Sequence, residues 1–259
     1  MTSYKGYLLD LDGTIFRGGE AIPGAAAWIS YLKEQGIPYL YLTNNSSASP
    51  EHVAARLCGM GIEAEPREVY TSAMATAAYL RERAAAGTKV YMIGEDGLYQ
   101  ELLASGFVLT AEDPDFVVVG IDRSFTYEKL AAAARAVRGG AVFVATNADA
   151  ALPTERGLYP GSGSLVAAVS LAAAAQPVVI GKPQPIIVRY ALERLGTRED
   201  ETLIVGDNLH TDIEAGANAG LDSLLVLTGY STRAEAAIHP VRPTHIAEDL
   251  ADWQKRVSD

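Results

Sequence analysis

Two aspartates two positions apart, Asp10 and Asp12, precede a Gly-Thr pair near the start of the chain. They follow the apolar run 7–9, which predicts a buried strand that ends where the carboxylates begin. A carboxylate can form an acyl-phosphate in phosphoryl transfer, so Asp10 is a candidate nucleophile. Asp12 could protonate a leaving oxygen and then take a proton from water. An isolated Asp-x-Asp is more often a polar turn, but the whole string after an apolar strand favours chemistry.

Two clusters that suit phosphate oxygens follow the apolar runs 39–42 and 178–180. The hydroxyl of Thr43, with Asn44 and backbone N–H groups before a helix, could hold a phosphate. Standing alone, this cluster is at least as consistent with a polar loop that caps the helix. Lys182 lies between a glycine and a proline and could neutralise a transferring phosphoryl group. The alternative is an exposed lysine in a loop between a strand and a helix.

Two more carboxylates follow the apolar run 203–205, at Asp207 and Asp212. Hard oxygen ligands suit Mg²⁺, which takes one or two carboxylates together with water and substrate oxygens. The alternative is a loop aspartate followed by one that stabilises a helix N-terminus. That alternative explains Asp212 well and Asp207 poorly.

Short apolar runs alternate with helical patterns along the chain, which predicts an α/β fold with a largely parallel sheet. All four polar clusters follow predicted strands of this sheet. Because ligands of open α/β sheets bind at the carboxyl ends of the strands, we expect the clusters to meet at one edge.

The strand and helix pattern restarts near residue 88, with further predicted strands at 90–93, 116–119 and 142–144. A second α/β segment is therefore inserted into the first. We predict a discontinuous core, residues 1–78 and 180–259, with an inserted domain at 79–179.

Composition excludes several functional classes. The 259 residues carry a net charge of −11, which argues against nucleic acid as a partner because phosphate backbones need clustered Lys and Arg. We find no signal peptide and no apolar run long enough to span a membrane, and expect a cytoplasmic protein. The single cysteine, Cys58, is predicted to be a buried structural thiol.

Three of the four histidines, His52, His239 and His245, are scattered and carry no metal-binding spacing. They are predicted to have surface or structural roles. His210 lies within the fourth cluster, where we predict an exposed loop side chain, the alternative being a place at the rim of a pocket.

With the clusters in this order, the chain resembles the haloacid dehalogenase-like (HAD) phosphatase superfamily. The motifs that carry the resemblance are, in order, Asp10-Leu-Asp-Gly-Thr, Thr43, Lys182, and Gly206-Asp207 with Asp212. The resemblance implies a Rossmann-like parallel-sheet core with a large inserted α/β cap domain.

The place of the insert narrows the resemblance, because it lies between the second and third motifs. The strings Leu42-Thr-Asn-Asn-Ser-Ser, Thr146-Asn-Ala-Asp149 and Tyr159-Pro-Gly-Ser-Gly163 are similar to the nitrophenylphosphatase, or NagD-type, family of subfamily IIA. That family includes nucleotide, sugar-phosphate, phosphoglycolate and pyridoxal-phosphate phosphatases.

The resemblance implies a role for each motif residue. Asp10 is the nucleophile and Asp12 the general acid and base. The Asp10 side chain, the Asp12 backbone carbonyl and Asp207 bind Mg²⁺, with Asp212 close behind. Thr43, Asn44 and Lys182 bind the phosphate.

In the inserted domain, Asn147, Asp149 and Tyr159 resemble cap motifs of the family. They either shape the substrate pocket or stabilise the cap, and the sequence leaves both open. Members of the family often associate through the cap, which implies a homodimer or a higher homo-oligomer. The expected partner is a small phosphate ester, such as a nucleoside monophosphate, a sugar phosphate or p-nitrophenyl phosphate.

Two alternatives stay open. A phosphotransferase or mutase of the same superfamily would use the same aspartate pair, although mutases of the superfamily carry a different, helical cap. A non-hydrolytic signalling domain phosphorylated on aspartate also places acidic residues and a lysine around Mg²⁺. Such a domain needs no general acid two residues after its phospho-acceptor, so Asp12 argues against it.

Overall fold

The computed structural model describes residues 4–154 and 157–258. They form two compact units. The first contains the chain up to Thr43, the segment Pro50–Tyr70 and the chain from Lys182 onward, and the second contains Asn44–Ser49 and Thr71–Gly181. The predicted division into a catalytic core and a cap stays a prediction. One difference from these units is at residues 44–49, which it assigns to the core.

Strands and helices alternate along both units. The strands are β1 (Gly6–Leu9), β2 (Phe16–Arg17), β3 (Glu20–Ala21), β4 (Tyr39–Thr43), β5 (Val69–Thr71), β6 (Lys89–Ile93), β7 (Val108–Leu109), β8 (Phe116–Val119), β9 (Val142–Ala145), β10 (Ala151–Thr154), β11 (Gly157–Pro160), β12 (Val178–Val179), β13 (Thr202–Gly206), β14 (Asp222–Val226) and β15 (His245–Ala247). The helices are α1 (Ala25–Glu34), α2 (Pro50–Gly59), α3 (Ser72–Arg81), α4 (Asp96–Ala104), α5 (Tyr127–Arg138), α6 (Ser162–Ala173), α7 (Pro185–Leu195), α8 (Glu214–Ala219), α9 (Arg233–Ile238) and α10 (Leu250–Ser258).

Six strands form one sheet in the order β15-β14-β13-β1-β4-β5. The pairs β1–β13, β1–β4, β13–β14 and β14–β15 are parallel. Strands β1, β4 and β13 are buried along their whole length. Continuous apolar runs are typical of parallel strands that are covered on both faces. The predicted α/β fold class is confirmed.

The second unit has its own parallel sheet, in the order β12-β9-β8-β6-β7. Strand β12 belongs here, because Val178 pairs with Val144 and Val179 with Ala145 of β9. The prediction that the run 178–180 resumes the first sheet was therefore wrong. A two-residue apolar strand fits the edge of either sheet, and nothing in its own residues selects the partner.

Several helix ends follow the capping residues of the sequence. The Thr71 hydroxyl accepts a hydrogen bond from the Met74 N–H at the start of α3. Helix α7 begins at Pro185, where the missing proline N–H costs nothing. Helices α7 and α8 end at Gly196 and Gly220, both in the left-handed conformation that glycine adopts readily at a helix C-terminus. Among the described helices, none is long and apolar enough to cross a bilayer.

Cys58 corrects one prediction, because its thiol is exposed rather than buried. The buried face of α2 is formed by Pro50, Val53, Ala54 and Leu57. Successive helical residues are about 100° apart around the axis, so the residue after Leu57 turns away from this face. The Cys58 thiol lies 3.4 Å from the Ala64 carbonyl oxygen.

Candidate active site

The central strands of the first sheet bring the predicted site residues of the first unit to one edge. Leu9 of β1 lies level with Val205 of β13, and the N–H of Asp10 donates to the Val205 carbonyl at 2.8 Å. Thr43 is the last residue of β4 and is buried. Asp207 directly follows β13. Parallel strands in register thus place Asp10, Thr43 and Asp207 together at their carboxyl ends.

Lys182 is the central cation of this site. Its side chain is 3% exposed, and its ammonium donates to Asp10 Oδ1 at 2.6 Å and to Asp212 Oδ1 at 2.6 Å. A third bond reaches the Leu42 carbonyl at 3.2 Å. The alternative of an exposed loop lysine is therefore wrong, although Lys182 follows a strand of the other sheet.

Asp212 is held by the turn that contains it. This turn, Leu209–Ile213, is a π-helical turn before α8. Asp212 therefore lies within this turn and not at the start of α8, where the alternative interpretation would place it. The N–H of Asn208 donates to Asp212 Oδ2 at 3.1 Å, and Lys182 holds the other oxygen. A Cβ added at Gly206 would overlap the Asp212 side chain. With both oxygens bonded within the protein, Asp212 is placed to orient Lys182.

Asp207 is positioned by a segment that the sequence analysis missed. The Tyr230 N–H donates to Asp207 Oδ2 at 2.6 Å, and the Ser231 N–H donates to the Asp207 carbonyl at 2.9 Å. A Cβ at Gly229 would overlap the Asp207 carboxylate, and one at Gly13 would also collide with it. A signal was present, because Gly229 and Tyr230 lie just after the apolar run 224–227, as the other clusters follow apolar runs.

The acids carry more negative charge than the lysine balances. Burial raises the pKa of Asp10 well above its usual range, against the attraction of Lys182, and the charges of Asp212 and Asp207 raise it further. Burial and the charge of Asp212 raise the pKa of Asp207 to about 7. The pKa of Lys182 is raised, because attraction to Asp10 and Asp212 outweighs its burial.

These carboxylates fit a divalent cation. Asp10, Asp207 and Asp212 each offer an oxygen, and the three oxygens lie within 4.8 Å of one another. Against one ammonium, three ionised carboxylates leave two negative charges, which is the charge that a divalent ion neutralises. An all-oxygen donor set suits Mg²⁺ rather than a metal that prefers imidazole or thiolate.

Asp12 has a different environment from Asp10. The residue is exposed, yet desolvation raises its pKa, opposed by the charges of Arg56 and Arg17. The Arg56 guanidinium lies 4.2 Å from the centre of the Phe16 ring and donates to the Gly18 carbonyl at 2.7 Å. A carboxyl with a raised pKa that stays open to solvent can both give and take a proton. Sequence reasoning singled out neither arginine.

Three of the other predicted residues meet within the second unit. The Asn44 amide donates to the Asp149 carboxylate at 3.1 and 3.3 Å, and the Asn147 amide donates to it at 2.7 Å. The Thr146 hydroxyl lies 2.9 Å from Asn147 Oδ1. Tyr159 lies apart from these bonds, exposed on the β11 strand of a hairpin. The Asn44 side chain is thus bonded to one of the predicted cap residues.

The structure explains why glycine occupies positions 161 and 163. The Gly163 N–H donates to the Asp149 carbonyl at 2.9 Å, and the Gly161 N–H donates to the Ala150 carbonyl at 2.9 Å. A Cβ at Gly161 would overlap the Asp149 carbonyl oxygen, and one at Gly163 would overlap the Ala148 carbonyl oxygen. The turn therefore packs directly on the backbone that carries Asp149.

Two family models match the chain, one toward each end. The model described as haloacid dehalogenase-like hydrolase matches residues 7–108. A HAD-hydrolase-like model matches residues 179–253.

Among curated proteins, the chain is 48% identical over 253 residues to the 5'-nucleotidase YutF of Bacillus subtilis, covering 98% of both chains. It is also 48% identical over 258 residues to the acid sugar phosphatase of Staphylococcus saprophyticus, covering 99% of both. These relatives span nearly the entire chain, the inserted segment included.

Solved structures give the same result. A thermostable nitrophenylphosphatase double mutant from Geobacillus stearothermophilus aligns with a TM-score of 0.92 at 47% identity, covering 98% of this chain and 99% of that one. NagD from E. coli K-12 aligns with a TM-score of 0.91 at 40% identity, covering 96% and 98%. The glycerol phosphate phosphatase Rv1692 from Mycobacterium tuberculosis, in complex with magnesium, aligns with a TM-score of 0.91 at 41% identity, covering 96% and 76%. The resemblance to NagD-type phosphatases is confirmed.

Proposed function

The chain belongs to the haloacid dehalogenase-like hydrolase family and is a phosphatase, and from this premise we propose that it hydrolyses small phosphate monoesters with Mg²⁺ through a phospho-aspartate on Asp10. The observation that carries the proposal is the buried Lys182 ammonium, which bonds to the Asp10 and Asp212 carboxylates at the sheet edge. The alternative, a signalling domain that is phosphorylated on aspartate, would not need a general acid such as Asp12 next to its phospho-acceptor.

In the first step, an oxygen of the Asp10 carboxylate attacks phosphorus and the bond to the leaving oxygen breaks. Asp12 donates its proton to that oxygen, so the alcohol leaves neutral. The raised pKa of Asp12 favours this donation. Lys182 stabilises charge on the transferring phosphoryl group, with Thr43 as a second phosphate-binding residue.

In the second step, water attacks the phosphorus of the acyl-phosphate. Asp12, now ionised, takes a proton from that water. The bond between phosphorus and the Asp10 oxygen breaks, so inorganic phosphate leaves and the Asp10 carboxylate is restored. The same side chain thus acts first as an acid and then as a base.

Asp10 and Asp207 are the residues that would bind Mg²⁺, together with the Asp12 carbonyl that the family resemblance implies. When bound, Mg²⁺ would hold Asp10 ionised and offset the repulsion between the carboxylates and an anionic phosphate. Asp212 orients Lys182 behind them through its 2.6 Å bond. The magnesium complex of the related Rv1692 supports this choice of ion.

The substrate class is supported by the names of the relatives. They are a 5'-nucleotidase, an acid sugar phosphatase, a nitrophenylphosphatase and a glycerol phosphate phosphatase. These substrates share a phosphate monoester on a small organic group. We propose nucleoside monophosphates and sugar phosphates as candidates, with p-nitrophenyl phosphate as an assay substrate. The phosphate-binding role of Asn44 and the specificity roles of Asn147, Asp149 and Tyr159 stay predictions.

The test is Asp10→Asn, assayed for phosphate release from p-nitrophenyl phosphate with Mg²⁺. We expect no turnover from a variant whose circular dichroism matches that of the parent. Asp113→Asn is the matched control, because Asp113 is exposed in a loop of the second unit, and it should keep full activity. Full activity in Asp10→Asn would remove Asp10 as the nucleophile.

Asp12→Asn tests the acid and base role separately. Loss of a positioned acid and base slows a reaction by about 10²–10⁴-fold, so we expect the steady-state rate to fall by that range. An unchanged rate would assign the proton transfer to another group.

A further inference from the structure

Two histidines and a glutamate of the first unit, His210, Glu214 and His239, face one another. We call them the histidine cluster. Each offers one ligand atom, and these atoms all lie within 4.8 Å of one another. None of the three has a role in the mechanism above. The sequence could not show the cluster, because His239 lies 29 positions after His210.

The cluster is carried by helical elements. His210 belongs to the π-helical turn Leu209–Ile213, Glu214 is the first residue of α8, and His239 caps the C-terminus of α9. Beneath them lies an apolar core cluster of buried residues formed by Leu209, Ile213, Leu225 and Ala236. Ligands held by packed elements lose little freedom when they bind an ion.

The distances match those of a tetrahedral metal site. His239 Nε2 lies 3.4 Å from His210 Nδ1 and 3.4 Å from Glu214 Oε1, and His210 Nδ1 lies 3.6 Å from Glu214 Oε1. Ligand atoms at about 2.05 Å from a tetrahedral Zn²⁺ lie about 3.3–3.4 Å apart. The cluster therefore needs only a few tenths of an ångström of adjustment to surround an ion.

The second nitrogen of His239 supports the same conclusion. His239 Nδ1 lies 2.7 Å from the Val241 carbonyl oxygen. The Val241 N–H donates to the same nitrogen at 3.2 Å in the other tautomer. In the tautomer that donates to the carbonyl, the lone pair is on Nε2, which faces the cluster, and a metal ion bound there would select this tautomer. Metal-binding histidines usually donate their other N–H to a backbone carbonyl in this way.

We propose that His210, Glu214 and His239 bind a divalent transition-metal ion of the Zn²⁺ class. Two imidazoles and one carboxylate are a donor set for Zn²⁺ and its neighbours, whereas Mg²⁺ prefers oxygen ligands. The His239 side chain is 8% exposed and that of His210 66% exposed. The open side at His210 leaves room for water as a fourth ligand.

An ion here would join two parts of the first unit. It would link the turn that carries Asp212 to the C-terminal end of α9. Because the ion binds the folded chain, it would stabilise the fold by mass action. The alternative occupant of the cluster is a proton, which would make an ordinary ion pair between a charged histidine and Glu214.

The experiment titrates the purified, metal-free protein with Co²⁺ in the presence of excess Mg²⁺, which occupies the carboxylate site. Co²⁺ bound by nitrogen in tetrahedral geometry absorbs visible light strongly, whereas an octahedral oxygen site absorbs weakly. We expect a strong band that saturates at one equivalent, and displacement of Co²⁺ by Zn²⁺. A parallel measurement follows the melting temperature, which should rise with Zn²⁺.

The variant H210A/H239Q should lose the band and the rise in melting temperature, and its affinity for Co²⁺ should fall at least tenfold. His52→Ala is the matched control, because His52 is exposed on α2 of the same unit; it should behave as the parent does. An absent band in the parent, or an equal band in H210A/H239Q, would overturn the proposal and leave the ion pair. Neither outcome depends on Asp10 chemistry.

Discussion

Replacement of Lys182 by methionine tests how the site balances its charge. The ammonium lies 2.6 Å from an oxygen of Asp10 and 2.6 Å from one of Asp212, within a side chain that is 3% exposed. At an effective dielectric constant of about 20, each contact is worth about 6 kcal/mol of gross attraction. Removal of one partner from a buried ion pair typically costs about 3–5 kcal/mol net.

A carboxyl in the variant can escape its uncompensated charge by taking up a proton. At about pH 7, protonation costs about 4 kcal/mol for a carboxyl with an ordinary pKa. This cost sets an upper limit on the stability lost for each carboxylate that loses its partner. We therefore expect Lys182→Met to lower the free energy of unfolding by about 3–5 kcal/mol. The free energy of unfolding is measured by urea unfolding near neutral pH with a chelator present. Phosphate release is measured separately with Mg²⁺, and we expect it to be abolished.

The destabilisation by Lys182→Met should depend on pH in a definite direction. A carboxyl whose pKa is raised on folding holds a proton that the unfolded chain releases, so its contribution to stability is lost as pH rises. For Asp207, with its pKa raised from 3.8 to about 7, the loss falls between these values. Lys182→Met removes the ammonium that favours the ionised form of the neighbouring carboxyls, so the folded variant should hold more protons than the parent. Its destabilisation should therefore shrink as the pH falls, by about 1.4 kcal/mol per pH unit for each extra proton.

Lys33→Met is the matched control, because Lys33 makes only longer contacts to Glu63 and Glu68, at 3.4 and 3.6 Å. Such surface pairs contribute about 0–1 kcal/mol. If Lys182→Met were as stable as the parent, or if its destabilisation did not depend on pH, the charge balance derived from these contacts would be refuted.

Two further predictions follow from single contacts. Gly229→Ala should lower activity about 100-fold, because its Cβ would displace the Asp207 carboxylate and a shift of about 1 Å has that effect; steady-state kinetics would measure it. Burial raises the pKa of Asp122, but hydrogen bonds from Lys129 and Ser124 outweigh it and lower the pKa overall. Asp122→Asn should cost about 1–3 kcal/mol near neutral pH in urea unfolding. That difference should vanish as pH falls through the lowered pKa.

Each of these predictions has a control in the chain. Gly59→Ala places its Cβ in open space and should leave activity unchanged. Asp113→Asn removes an exposed charge and should leave stability unchanged at both pH values. Unchanged kinetics in Gly229→Ala, or a stability difference at Asp122 that persists in acid, would contradict the contacts described.

Sequence patterns predicted the central strands of the first sheet and their polar clusters. The runs 7–9, 39–42 and 203–205 are apolar throughout and became parts of β1, β4 and β13. Each is closely followed by its polar cluster, so local pattern and tertiary environment agree. Strand β12 was different, because its two valines carry no information about which sheet they join. The pairing depends on distant β9, which no local pattern contains.

Other features were missed for the same physical reason. The hydrogen bond from the Tyr230 N–H to Asp207 joins residues 23 positions apart, and the bonds of Asn44 to Asp149 join residues 105 positions apart. A side chain's type predicts what it can bind, but its partner is set by the fold. The hairpins formed by β2–β3 and β10–β11 were missed because their strands are too short for an alternating pattern to show.

The short segment Asn44–Ser49 constrains any chimera between this enzyme and a relative. It belongs to the second unit although residues 50–70 separate it from the rest of that unit. Its Asn44 bonds to Asp149, its Ser46 hydroxyl lies 3.2 Å from that of Thr146, and its Ser47 carbonyl accepts from the Gly97 N–H. A transplanted 71–181 module would lose these bonds unless the donor's counterpart of 44–49 travelled with it. Two exchanged pieces, 44–49 and 71–181, with four splice junctions at 43/44, 49/50, 70/71 and 181/182, are the smallest graft that keeps the second unit intact.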